Sequence, residues 1–307
     1  VERENSRSYK TLSRPYIDLR YFIEKFAEEN DSRLIFGDNV LSIETIWRQK
    51  NDDINELSPL KFRTLSTANC ELIDMKREQP KVENDEFEIF SPAVKEMLKE
   101  TLEKKESCFL FGVRKGLSST TVCGDCGHTV ECKNCGAPVV LYGGKGVGEN
   151  FFLCFACGAK RSASGKCKLC DSWRLIPLGI GIEKIIEEIK KQFPNVTLLH
   201  LDKDTAKTNK KAQEIVSKFY KTAGSVLVGT EIALFYLNKP VHNCGIISLD
   251  ALFSIPDYKI NEKIFYIITK IRNIATKKFI VQTRNIGKNI LDTALKGSIL
   301  DFYREEI

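Results

Sequence analysis

Eight cysteines stand in four Cys-x-x-Cys pairs between Cys123 and Cys170: Cys123/Cys126, Cys132/Cys135, Cys154/Cys157 and Cys167/Cys170. A two-residue spacer lets both thiolates of a pair face one tetrahedral ion at about 2.3 Å. Glycine follows Cys126, Cys135 and Cys157, where a knuckle must turn back to aim its amides at sulfur. Eight thiolates fill two four-sulfur shells with no open position, so the expected cofactor is two Zn2+ ions in a structural role. The gaps between pairs are 5, 18 and 9 residues. The longest gap carries Gly143, Gly144, Gly146 and Gly148 and reads as a hairpin. That favours Cys132, Cys135, Cys154 and Cys157 on one ion (site 2), leaving Cys123, Cys126, Cys167 and Cys170 for the other (site 1). Reactive thiols or an iron–sulfur cluster are the alternative uses of such a shell. His128 lies between knuckles and reads as a solvated or phosphate-facing side chain, because the cysteines already fill both shells. Cys70, Cys108 and Cys244 stand apart and read as ordinary core thiols.

The segments on either side of this window must form a rigid frame. Ser91-Pro92 opens a helix to about Lys105, with serine as cap and proline at the first helical position. Cys108 to Phe111 reads as a buried strand. After residue 176, strands at 196–201, 225–229, 244–250 and 279–283 alternate with helices at 182–193, 212–220, 261–274 and 290–303. Such alternation predicts an α/β domain with a parallel sheet and helices on both faces. Before the window, Tyr21-Phe22-Ile23 and Phe26 predict an amphipathic helix, and Leu34-Ile35-Phe36-Gly37 a short buried strand. Ser42 opens another helix, and Leu72 to Met75 is a further strand. The polar stretch 76–90 reads as a linker. Within 120–175 apolar periodicity vanishes, as in small domains that need metal to fold.

Of the 307 residues, 42% are hydrophobic and 29% charged, a globular composition. The net charge of +6 permits nucleic-acid binding without requiring it. No apolar run of about 18 residues predicts a membrane span, and Val1-Glu2-Arg3-Glu4-Asn5 is no signal region. The expected compartment is the cytoplasm, where thiols stay reduced. The chain opens mid-pattern on Val1, which reads as a fragment, a non-standard start or a processed product.

The order of motifs resembles the primosomal protein N-prime family of bacterial replication-restart DNA helicases. The resemblance rests on Leu110-Phe111-Gly112-Val113-Arg114-Lys115-Gly116, then the eight cysteines, then Pro177-Leu178-Gly179-Ile180-Gly181, His200-Leu201-Asp202-Lys203-Asp204, Val228-Gly229-Thr230 and Ile280-Val281-Gln282-Thr283. It implies a RecA-like helicase lobe with a parallel sheet, interrupted by a double zinc-knuckle module, plus the tail of a first lobe. Residues 1–78 would be that tail, 79–120 a linker helix and the start of the second lobe, 121–175 the zinc insertion, and 176–307 the rest of the lobe. The resemblance also implies ATP and Mg2+ as cofactors, forked or single-stranded DNA as partner, other replication-restart proteins as further partners, and backbone contacts from Arg114 and Lys115.

This sequence departs from the family pattern where ATP chemistry is concerned. It contains no Gly-x-x-x-x-Gly-Lys-Ser/Thr loop to cradle phosphates. The acidic magnesium motif stands as Glu2-Arg3-Glu4-Asn5, and the Ser-Ala-Thr coupling motif as Asp38-Asn39-Val40. The Gly-Arg-Ala-Gly-Arg motif falls at Asn273 to Lys277 without its arginines, and Phe235-Tyr236 replaces a Lys-Gly after Thr230. Catalytic residues are therefore expected to be absent. Lys160, Arg161, Lys166, Lys168 and Arg174 surround the last two knuckles with Phe155 and Trp173 nearby, a set that offers phosphate contacts and base stacking. A solvated lysine surface over core aromatics is the alternative. The favoured reading is a helicase-derived DNA-binding scaffold. An active helicase whose missing parts lie elsewhere and a zinc-stabilised protein-interaction module are the competing readings. Asp202 and Asp204 are expected to cap a turn.

Overall fold

The computed structural model describes residues 1–11, 13–57, 64–78, 88–113, 120–142, 150–163, 165–255 and 257–307. The chain begins with α1 (Leu19–Glu29), α2 (Ile43–Lys50), β1 (Asn69–Asp74), α3 (Met75–Glu78), α4 (Pro92–Glu103) and β2 (Cys108–Phe111). The cysteine window holds β3 (Thr120–Cys123), β4 (Val140–Tyr142), β5 (Phe151–Leu153), β6 (Lys160–Ser162) and β7 (Leu175–Leu178). Then follow α5 (Ile182–Gln192), β8 (Thr197–Leu201), α6 (Asn209–Lys221), β9 (Ser225–Gly229), α7 (Glu231–Tyr236) and β10 (Val241–Ile246). The chain closes with α8 (Ile260–Ile274), β11 (Ala275–Thr283), α9 (Asn289–Lys296) and α10 (Ile299–Glu306). Two compact units divide it: residues 1–64 with 296–307, and residues 65–295.

The larger unit is built on a six-stranded sheet in the order β1-β11-β10-β2-β9-β8, parallel at every pairing. Parallel strands covered by helices on both faces need apolar side chains on both sides. Strands β2 and β9 meet that need, being buried at every position. Around β2 pack Phe90, Val94, Met97 and Leu98 from the α4 segment and Ile182, Ile185 and Ile189 from α5. Each such side chain contributes roughly 1.5–3 kcal/mol on burial. Helix α4 starts as expected, with Ser91 Oγ accepting from Val94 N at 3.3 Å, a cap worth about 1 kcal/mol. Gly229 ends β9 where α7 crosses closely. A Cβ there would meet that of Ala233 at 2.5 Å, so no larger residue fits without moving the helix.

The cysteine window is an insertion in this lobe. Val113, just after β2, forms a parallel bridge to Gly181, and Ile182 N donates to Val113 O at 3.2 Å. The chain thus leaves the sheet and rejoins it at adjoining positions. Beyond the insertion, Asp202 Oδ1 accepts from the amides of Asp204 and Thr205 at 3.0 and 2.8 Å. Asp202 therefore caps the turn after β8.

Several expected elements differ. Strand β1 pairs with β11 and lies in the larger unit, apart from the helices α1 and α2 with which the expected segment 1–78 groups it. The expected helix at 290–303 is two helices, because Gly297 takes φ +67° and α10 falls in the smaller unit. Residues 34–36 form no strand; only Gly37 pairs, with Glu2, and Ile35 is exposed. Helix α1 forms as expected, yet Tyr21, Phe22 and Phe26 face solvent. Of the presumed core thiols, Cys108 and Cys244 are fully buried and Cys70 only partly. Burial drives the thiols of Cys108 and Cys244 well above their ordinary range, which keeps them unreactive. Among the described residues, no helix is long and apolar enough to cross a membrane.

Candidate metal centre

The four cysteine pairs fold into four copies of one turn. In each, the amide of the first cysteine donates to the carbonyl five residues on: Cys123 to His128 (2.8 Å), Cys132 to Ala137 (2.8 Å), Cys154 to Ala159 (2.9 Å) and Cys167 to Ser172 (2.8 Å). The residue after the second cysteine donates back to the first cysteine's carbonyl, from Gly127, Gly136, Gly158 and Asp171 at 2.9 to 3.0 Å. That residue is left-handed in every copy, with φ of 69°, 72° and 74° at the three glycines and 56° at Asp171. Glycine takes this conformation freely, and aspartate is among the few other residues that tolerate it. The turn also aims amides at sulfur: Asp125 N, Asn134 N and Leu169 N each lie 3.4 Å from the Sγ of Cys123, Cys132 and Cys167.

These turns pair into two clusters. The structure brings together Cys123, Cys126, Cys167 and Cys170 in one and Cys132, Cys135, Cys154 and Cys157 in the other, with all sulfurs of a cluster within 4.8 Å of one another. In the first, Cys123–Cys170 and Cys126–Cys167 are each 3.5 Å apart. In the second, Cys132–Cys157 is 3.6 Å and Cys135–Cys154 3.5 Å. A tetrahedron of sulfurs about 2.3 Å from zinc has edges of about 3.8 Å, so both clusters could hold such an ion after a slight expansion. The donor set is soft, sulfur only and closed, which suits a structural site. Within the second cluster, burial raises the Cys132 thiol, but the amides of Asn134 and Cys135 and the neighbouring sulfurs outweigh it and bring it to about 7. Burial carries Cys154 up to about 12. Holding all four as thiolates at neutral pH therefore calls for a cation.

The two clusters differ in what supports them. Cys123 belongs to β3, which pairs antiparallel with β7, and Gly124 N donates to Arg174 O at 2.7 Å. The second cluster sits on the small sheet β4-β5-β6, where Cys132, Val139, Phe152 and Cys154 are the buried core.

The basic residues singled out for DNA fall into different settings. Arg114 and Lys115 lie outside the described residues. Arg161 spreads its guanidinium 4.5 Å from the Phe152 ring centre, and Arg174 reaches Asp125 at 3.4 Å. Lys160 covers Phe151 at 3.9 Å and Lys166 covers Trp173 at 5.0 Å. Lys160, Lys166 and Lys168 are exposed. Sequence reasoning did not anticipate the stack of Tyr142 on Phe151, 5.5 Å apart and 11° from parallel. The signal was available, since Tyr142 and Phe151 flank the glycine-rich stretch as a hairpin pair would.

The positions of the ATP motifs are likewise placed. In the smaller unit, Glu4 is buried and its carboxylate accepts from Ser42 N at 3.3 Å, Ser42 Oγ at 2.6 Å and Thr45 Oγ1. It holds Ser42, whose Oγ caps α2 by accepting from Thr45 N at 3.1 Å. Asp38 accepts from Asn5 N at 3.1 Å, so the acidic and coupling segments adjoin. In the larger unit, α8 passes into β11 without an intervening loop. Ile274 and Ala275 are buried, and Lys277 forms an ion pair with Glu106.

Along its whole length the chain is similar to the replication restart protein PriA of Bacillus subtilis, at 28% identity over 317 residues and 38% of that protein. It is likewise similar to PriA of Borreliella burgdorferi (25% over 314 residues, 46% of that protein) and of Thermotoga maritima (23% over 313 residues, 41%). The chain spans less than half the length of these relatives. No family model matches it.

Proposed function

We propose that this chain is a PriA-like, zinc-holding segment that binds DNA during replication restart and does not itself turn over ATP. The observation that carries the reading is the pair of four-thiol clusters set into a parallel-sheet lobe between Val113 and Gly181, in a chain that aligns from end to end with PriA. Cys123, Cys126, Cys167 and Cys170 would hold one zinc ion and Cys132, Cys135, Cys154 and Cys157 the other. Bound zinc supplies cross-links, not reactivity, since neither shell has a place for water. It fixes the knuckles and so the side chains they carry. The lysines on those knuckles supply the attraction for phosphate. The cytoplasm is the compartment that suits both the thiols and this role.

The absence of turnover is supported by three features. The 307 residues contain no phosphate-binding loop. Glu4 is occupied by Ser42 and Thr45. The arginine positions are taken by Ile274, which is buried, and Lys277, which is paired with Glu106.

Binding should be salt-sensitive and favour single-stranded or forked DNA with little base preference. Each phosphate contact contributes roughly 0.7–0.9 to the slope of log affinity against log salt. A titration at several salt concentrations is expected to show a slope of two or more contacts that falls by about one when Lys168 becomes alanine. Affinity equal to that of a neutral control protein would instead favour a zinc-stabilised protein-interaction module.

A further inference from the structure

Two lysine–aromatic pairs stand on the insertion, and they are not equivalent. In the first, Lys160 lies over one side of the Phe151–Tyr142 stack, and Phe155 meets Tyr142 edge-on at 6.3 Å. Those rings are engaged with one another across β4 and β5, where they brace a small sheet. In the second, Lys166 lies over Trp173, and Trp173 is 67% exposed. The same knuckle displays Lys168, exposed, and Leu169, 70% exposed.

Trp173 and Leu169 thus expose apolar surface from one knuckle that also bears Lys166 and Lys168, an apolar surface rimmed by charge of the kind that interaction sites use. The knuckle that carries it is fixed by the Cys167–Ser172 and Asp171–Cys167 backbone bonds, so little freedom is lost on binding. A planar ring with the Lys166 ammonium over it and a second exposed lysine, Lys168, on the same knuckle matches a base on a sugar–phosphate strand: the ring stacks and the ammoniums meet phosphates. A base paired within a duplex hides both its faces in the stack, so such a ring reaches only unpaired nucleotides. Arg161 and Arg174 are held by Phe152 and Asp125 and do not share this task.

We infer that Trp173 is a base-stacking residue, with Lys166 and Lys168 as its phosphate contacts, and that it directs the insertion to unpaired strands. The inference rests on the nucleic-acid reading above and names the residue that recognises the base. Its test uses the full chain as purified with its metal. The chain has two tryptophans, so Trp47→Phe leaves Trp173 as the single reporter. A short oligothymidylate is expected to quench its emission saturably, while an abasic strand of equal length binds without quenching. Trp173→Ala should weaken oligothymidylate binding about 5- to 150-fold and leave the abasic strand unaffected. Trp173→Phe, which keeps a ring, should hold most of the affinity. Metal content equal to that of the parent shows that the knuckle is intact in both variants. Oligothymidylate binding that neither quenches Trp173 nor weakens in Trp173→Ala overturns the stacking assignment and leaves the DNA reading standing. Equal loss of both strands in both variants assigns Trp173 a structural role and overturns it too. Failure of the parent chain to bind either strand overturns both.

Discussion

Replacing Cys132 with serine is expected to unfold the β4-β5-β6 sheet while leaving the six-stranded sheet intact. The expectation follows from comparing two cores. The inner module buries Val139 and Phe152 beside its cysteines, worth together roughly 3–6 kcal/mol. Ordering its backbone costs roughly 1–2 kcal/mol per residue, which over such a segment exceeds that gain several-fold. Metal must supply the difference, and structural zinc in small peptides contributes about 10–16 kcal/mol. A serine at position 132 removes one of four thiolates and the sulfur that receives the Asn134 amide. The larger sheet has its own core around β2, α4 and α5, and among the described residues the insertion meets the rest of the unit at the Val113–Gly181 bridge and where Thr120 Oγ1 lies 3.4 Å from Asp250 O and 3.3 Å from Ser254 Oγ. Hydrogen exchange on the variant should show protection lost across β5 and β6 and retained across β9 and β10. Loss across β9 and β10 as well would mean that the insertion and the sheet fold as one unit.

Phosphate release by the purified chain with magnesium, ATP and forked DNA is expected to stay at the uncatalysed background. Hydrolysis by a two-lobed helicase needs a loop to hold phosphates, carboxylates to hold magnesium, and arginines to neutralise the transferring group. An arginine of this kind is worth roughly 10³–10⁵ in rate. Lysine at 277 lacks the planar fork of arginine and is drawn to Glu106, next to the start of β2. Restoring an arginine would not suffice, because α8 runs directly into β11 and leaves no loop to present it. DNA-stimulated turnover that survives further purification, and that vanishes in Lys277→Ala, would overturn this reading in favour of an active motor.

The candidate metal centre was legible because its determinants are local. A Cys-x-x-Cys-Gly turn specifies its own hydrogen bonds, and the long gap between Cys135 and Cys154 pointed to the pairing that the fold displays. The parallel sheet was legible for a related reason: β2 and β9 are continuous apolar runs between amphipathic helices. What sequence periodicity could not tell was whether an apolar face finds a cover. Tyr21, Phe22 and Phe26 form the stripe that was expected, yet it faces solvent. The break between α9 and α10 had a local signal in Gly297-Ser298, outweighed by the apolar periodicity on both sides. Long-range partners were beyond reach. The clasp of Glu4 by Ser42 and Thr45 joins segments about forty residues apart, and only the fold separates Arg161 and Arg174, which are engaged, from Lys168, which is exposed.

Two closed four-thiol sites in the insertion fix the metal stoichiometry of the chain. Elemental analysis of protein purified without added metal is expected to give two zinc ions per chain, one for each four-cysteine cluster. The Cys132→Ser variant should retain one, held by Cys123, Cys126, Cys167 and Cys170. A single zinc in the parent chain, or iron in its place, would mean that the two clusters are not a pair of zinc sites.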